Sequence, residues 1–161
     1  MNFILFLKKR LWQRRSLLMM TLIVALSSHV HAYNGIEFLS ISDHAVIMYD
    51  APSLKSEKLY VASRYLPVEA VVNVEGWVKV RDSSGVLAWV EKKSLSKKRY
   101  IIVTAPVANV YRSADTHSGL VFQAEKNVVM EWVDSADVGW VKVRHPDGQL
   151  GFIRVTQVWG I

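Results

Sequence analysis

The sequence predicts an all-β protein in which two tandem small β-barrels pack together behind an export signal peptide. Three observations predict this. A unit of about sixty residues occurs twice, each copy breaks into short valine- and aromatic-rich segments with turn residues between them, and the first 32 residues have the layout of a cleavable leader.

The duplication is the strongest signal. Gly76-Trp77-Val78-Lys79-Val80-Arg81 returns as Gly139-Trp140-Val141-Lys142-Val143-Arg144, 63 residues later. Without a gap, Leu87-Ala88-Trp89-Val90-Glu91 then faces Leu150-Gly151-Phe152-Ile153-Arg154. Upstream, Val46-Ile47-Met48-Tyr49 aligns with Ala108-Asn109-Val110-Tyr111 at an offset of 62, and Pro67-Val68 with Asn127-Val128 at 60. On that alignment the second copy has three extra residues in the loop from Asp134 to Val138.

Each copy reads as strands. Val68 to Val74, Trp77 to Arg81 and Leu87 to Glu91 are separated by Glu75-Gly76 and by Asp82-Ser83-Ser84-Gly85. The second copy repeats the scheme with Val128 to Val133, Trp140 to Arg144 and Leu150 to Arg154. Side chains alternate along a strand, so Val78 and Val80 share one face and Trp77, Lys79 and Arg81 the other. The aliphatic face is the core, which leaves the tryptophan at a rim or in a surface cleft.

The leader is read from its three zones. Lys8, Lys9, Arg10, Arg14 and Arg15 form a basic start without an acidic residue, an apolar run from Leu17 to Leu26 follows, and Val30-His31-Ala32 ends it with a cleavage pattern after Ala32. The apolar run is about half of what crosses a bilayer. Retention as an N-terminal anchor, with Ile4 to Leu7 adding apolar length, is the alternative; only then would the protein touch a membrane. Arg14-Arg15 before an apolar run also resembles a twin-arginine export signal. The expected location is therefore the periplasm or beyond, and the expected domains are 33–98 and 99–161. The link Ser96-Lys97-Lys98-Arg99 is so short that the copies should touch.

Removing the leader changes the charge. The chain carries +6, with 20 Lys and Arg against 14 Asp and Glu, but five of those cations lie in the leader, so residues 33–161 carry only +1. A nucleic-acid binder keeps its basic excess on the folded domain, and this chain does not. There is no cysteine, which excludes disulfides, thiol catalysis and cysteine metal sites.

The duplicated stretches, with Tyr65-Leu66-Pro67-Val68-Glu69-Ala70-Val71 and the closing Val158-Trp159-Gly160-Ile161, resemble the bacterial SH3-like domain family in its tandem form. The resemblance implies a five-stranded, partly open barrel that binds and does not catalyse. Relatives are commonly exported and are often joined to cell-wall hydrolases as targeting modules, so the resemblance implies export; no hydrolase domain is expected in these residues. Family members often carry Asn-x-Arg-x-Gly-Pro early in the domain. Here that place holds Met48-Tyr49-Asp50-Ala51-Pro52 and Val110-Tyr111-Arg112-Ser113-Ala114, so a groove shaped by that stretch would differ.

Catalytic constellations are hard to assemble. His44, His117 and His145 lie far apart beside turn residues, without metal-ligand spacing. No nucleophile-elbow glycines flank a serine, and Glu69, Glu75, Asp134 and Asp137 read as solvated strand-end charges. No catalytic residue, metal or cofactor is expected. The recurring aromatics are the candidates: Tyr49 and Trp77 in the first copy, Tyr111 and Trp140 in the second. Flat aromatic walls bind extended peptides with little entropic loss, which suits cell-wall peptides or glycans. The bland alternative for these four is ring packing. Trp89, Phe152 and Trp159 are expected to fill core or inter-barrel contacts. The basic run at Lys97-Lys98-Arg99 reads either as a solvated junction or as a patch for anionic polymers or lipid. An envelope-protein partner, in place of the wall, is the second functional reading.

Overall fold

The computed structural model describes residues 35–161, so the expected leader lies outside the described residues. The first copy comprises β1 (Glu37–Ile41), β2 (Ala45–Tyr49), β3 (Lys58–Ser63), β4 (Pro67–Val74), β5 (Trp77–Arg81), β6 (Leu87–Glu91) and β7 (Leu95–Ser96). The second comprises β8 (Tyr100–Val103), β9 (Val107–Tyr111), β10 (Leu120–Glu125), β11 (Val129–Ser135), β12 (Trp140–Arg144), β13 (Leu150–Arg154) and β14 (Val158–Trp159). A single 3₁₀ turn precedes the last strand of each copy, Lys92–Ser94 and Val155–Gln157. The sequence-expected strands fall within a residue or two of β4 to β6 and β11 to β13.

Each copy forms one seven-stranded antiparallel sheet, in the orders β3-β2-β6-β5-β4-β1-β7 and β10-β9-β13-β12-β11-β8-β14. The orders correspond strand for strand. The expected barrels do not close: β3 and β7 stay as the two ends of one sheet, and β10 and β14 of the other. The sheet instead coils until its inner face meets itself. Ile41 from β1, Met48 from β2, Ala62 from β3, Val68 from β4, Val80 from β5 and Val90 from β6 belong to one buried cluster. In the second copy Val103, Val110, Ala124, Met130, Val143 and Ile153 do the same. A sheet has one face to bury and little else to bury it against here, so coiling is how a lone sheet makes a core.

The coil turns sharply where β2 crosses β6. The two strands meet at a single register pair, Tyr49 opposite Trp89, as β9 and β13 meet at Tyr111 opposite Phe152. At this corner the second copy has Gly151, where a Cβ would lie 2.4 Å from Val110 Cγ1 and 2.9 Å from the Tyr111 carbonyl oxygen. The first copy accommodates the buried Ala88 at the same place.

Backbone correspondence corrects the upstream alignment. Tyr65 N–H donates to the Ile41 carbonyl and Asn127 N–H to the Val103 carbonyl, and both residues have φ of 72°. Tyr65 therefore matches Asn127, an offset of 62, and Pro67-Val68 does not match Asn127-Val128. Glu69 opposite Arg81 likewise matches Glu131 opposite Arg144, and both long hairpins carry a bulge at the same place. The β11–β12 turn is longer than its counterpart by one residue, not three. Left-handed backbone suits asparagine and strains a tyrosine, so Tyr65 needs compensation. It stacks on Tyr100 of the second copy, with ring centroids 4.5 Å apart, and the Arg64 guanidinium lies 4.8 Å from its ring.

The copies pack against each other, as the short link requires. Phe38 meets Trp159 edge to face at 4.9 Å. The Arg99 guanidinium lies 5.5 Å from the Phe38 ring and 5.1 Å from the Trp132 ring, and its Nη2 donates to the Gly160 carbonyl at 2.9 Å. The buried Ser40 hydroxyl donates to the Lys98 carbonyl at 2.7 Å. Gly160 has φ of 107°, and a Cβ there would lie 2.8 Å from the Tyr100 carbonyl oxygen and 3.2 Å from Pro67. The basic run is thus not a uniformly solvated junction. Lys97 is exposed, Lys98 pairs with Glu131 at 3.3 Å, and Arg99 is packed, with burial lowering its pKa. A guanidinium is the weakly hydrated cation that tolerates such a place, and two ring faces partly replace its water.

Candidate functional site

The outward face of β5 and β6 is built by strict alternation. Val78, Val80, Ala88 and Val90 point into the core and are buried, so Trp77, Lys79, Trp89 and Glu91 face out. Trp89 and Phe152 are therefore not core rings, contrary to the expectation; the small Ala88 and Gly151 occupy the inward positions beside them. Trp159 does join the copies.

The β2–β6 crossing brings Tyr49 onto this outer face. Its ring meets Trp77 edge to face, with centroids 5.4 Å apart and planes at 87°, the arrangement the ring quadrupoles favour. Tyr49 is buried by this contact and its neighbours, while Trp77 remains partly exposed. Lys79 Nζ stands 5.9 Å from the Trp89 ring. Directly across the ladder from Trp77 is Glu91, whose carboxylate pairs with the exposed Lys93 at 2.9 Å.

The second copy repeats the geometry. Tyr111 meets Trp140 at 5.7 Å and 87°, and Lys142 Nζ stands 5.9 Å from the Phe152 ring. The Asn109 side-chain amide donates to the Tyr111 hydroxyl at 3.2 Å. The residue opposite Trp140 is Arg154, however, and its guanidinium lies 4.3 Å from the ring centroid. Trp140 is only 5% exposed. Asp115 in the β9–β10 loop is held below the usual carboxylate range, chiefly by the His117 backbone N–H and side chain, with the Arg154 charge contributing.

Two of the four candidate residues thus meet in each copy, Tyr49 with Trp77 and Tyr111 with Trp140. The partners that sequence reasoning left out are Glu91 and Arg154. The duplicated alignment already set these two opposite each other, and the sign change between them was the signal.

The remaining titratable groups sit apart from these rings. Glu69 receives two hydrogen bonds from Arg81, at 2.7 and 3.0 Å, and Glu131 one from Arg144 at 3.4 Å. His44 lies beside Arg64, His117 beside Asp115 and His145 beside Asp147, in three separate loops. Among the described residues no group of three or more His, Cys, Asp or Glu is arranged to hold a metal ion. A cleft of about 230 Å³ lies beside Glu37 and Leu95, and one of about 240 Å³ at the junction beside Arg64, Tyr65 and Tyr100; neither is lined by the paired rings.

The sequence profile described as "Bacterial SH3 domain" matches residues 42–97 and again 104–160. The chain belongs to the bacterial SH3 domain family. It is a tandem pair, and the matched ranges contain both aromatic pairs. Among solved structures the chain is similar to NlpC2 and NlpC1 from Trichomonas vaginalis. Both are 17% identical with a TM-score of 0.37, covering 79% and 83% of this chain and 49% and 50% of theirs. It is also similar to an NlpC/P60 family protein from Bacillus cereus, at 16% identity and a TM-score of 0.35, covering 76% of this chain and 55% of that one. The chain therefore spans about half the length of these proteins. Among curated proteins none matches it.

Proposed function

We propose that this tandem bacterial SH3 protein is an exported, non-catalytic binding module that recognises cell-wall peptides or glycans through the aromatic outer face of its sheets. The observation that carries the reading is the Tyr49–Trp77 pair. Trp77 packs at right angles to the buried Tyr49 and stays partly exposed, so its ring is already positioned. Such a rigid, amphipathic surface engages an extended chain at low entropic cost. Membership of a family of binding domains and the leader-like N-terminus support the same reading. The bound polymer would then lie in the periplasm or wall.

Retention of the purified protein on peptidoglycan sacculi tests this, beside Trp77→Ala and a Trp77→Ala, Trp140→Ala double variant, both checked for a native melting curve. Wild type should be retained and both variants lost to the supernatant. Wild type left in the supernatant sinks the wall reading and turns the search to an envelope-protein partner.

A further inference from the structure

The two copies hold the same ring pair in the same register, yet differ in what lies over the tryptophan. In the second copy a guanidinium covers Trp140 at 4.3 Å from the centroid, supplied from the position directly across the ladder. In the first copy that position is Glu91. Among the described residues no cation lies over Trp77, and the residue across the ladder from it carries a carboxylate that pairs with the exposed Lys93. Ring faces attract cations, and a carboxylate beside the ring adds a second attraction for the same charge. Cross-strand neighbours have Cβ atoms about 5 Å apart, so one bound cation can reach ring and carboxylate together.

We propose that the Trp77 face bordered by Glu91 is a seat for the ammonium or guanidinium end of a ligand side chain, and that Arg154 is the protein's own occupant of the equivalent seat on Trp140. The inference deepens the wall-binding reading and rests on it for the identity of the ligand: an extended peptide bearing a free primary amine. It makes the tandem pair a one-site binder. Lys93 is a competitor for Glu91, since a ligand ammonium must displace it or share the carboxylate.

The test uses two probes. One is a blocked Ala-Lys-Ala tripeptide beside its Nε-acetylated form, followed through the indole N–H resonances of the protein. The lysine peptide should move the Trp77 indole signal, and the acetylated peptide should bind at least about ten-fold more weakly, since acetylation removes the charge and keeps the length. Glu91→Arg should abolish the shift by recreating the second copy's arrangement. Arg154→Glu should do the reverse and make the Trp140 signal respond to the same peptide. Equal response to both peptides, or no response at Trp77, overturns the seat. The other probe is sacculi whose primary amines have been acetylated. Retention lost on acetylation supports both readings. Retention that survives acetylation but fails in Trp77→Ala keeps the wall reading and overturns the seat. Lysine-peptide binding without any retention on untreated sacculi keeps the seat and overturns the wall reading.

Discussion

The two halves share strand order, register, bulge positions and ring pairs, and they differ in what stands across the ladder from the outer-face tryptophan. In the first half Trp77 is partly exposed across the ladder from Glu91; in the second Trp140 is buried under Arg154. Beneath the outer face the substitutions come in compensated sets. Tyr60 bonds Asp82 at 3.3 Å in the first half, and the matching Phe122 packs on His145 at 5.2 Å in the second. Ala88 becomes Gly151 where the strands cross more tightly. Exchanges at the corner and at the Tyr60/Phe122 contact kept each core satisfied, whereas the Glu91/Arg154 exchange reversed the charge across the ladder from the outer-face tryptophan without touching the core. Duplication preserved the scaffold and separated the surfaces.

The largest way to break the correspondence is at the corner. Gly151→Val forces a branched side chain into Val110 and the Tyr111 carbonyl, and should destabilise the protein by about 3 kcal/mol in urea titration. Ala88→Gly at the matching place should cost only about 1 kcal/mol. Equal effects would mean that the two corners are packed alike.

The junction comes next. Arg99→Ala removes the cation shared by Phe38 and Trp132 and the bond to Gly160, a loss of about 2 kcal/mol. Calorimetry should then resolve two transitions where the wild type gives one, because each sheet has its own core but a size at which a lone core is marginal. A single unchanged transition would remove Arg99 as the coupling element.

A smaller effect sharpens the surface contrast. Arg154→Ala should cost about 0.5 kcal/mol, as expected of an exposed cation–π contact. It should also raise acrylamide quenching of Trp140 toward that of Trp77. If quenching stays unchanged, Arg154 is not what covers the ring.

The smallest effect at neutral pH is at Tyr60. Burial, then the neighbouring Asp82 charge and hydrogen bond, push its hydroxyl up to about 12 from the usual 10. A proton held more tightly in the folded state stabilises it as pH rises past the unfolded value only while the group stays neutral, and ionising the chain favours unfolding. The contribution is therefore fully present below pH 10 and is lost between pH 10 and about 12. Tyr60→Phe should flatten the alkaline fall in stability over that window, and Phe122→Tyr, with no matching carboxylate at His145, should not reproduce it.

Much of this was legible in the chain. The Trp-Val-Lys-Val-Arg segments alternate so regularly that Val78, Val80, Val141 and Val143 could be assigned inward from period alone. The four candidate rings were legible through duplication, since a repeat exposes which aromatics recur. Trp89 and Phe152 were misjudged because size was weighed above alternation, and the period decides which way a strand residue points. The upstream offset went astray because Pro67-Val68 and Asn127-Val128 match as letters. The hydrogen-bonded turn aligns Tyr65 with Asn127 by a left-handed backbone that letters do not carry.

By itself the sequence determined the all-β class, the duplication, the position of six strands and the inward valine face, because strand period and turn chemistry are local properties. Tertiary structure alone decided that each sheet coils without closing and that Arg99 is held between rings of the two copies. It also decided that one tryptophan is buried under a guanidinium while its twin stays partly exposed. Those outcomes depend on which side chains meet across strands distant in the chain, and a cation reaches a ring only once the ladder has set them opposite each other.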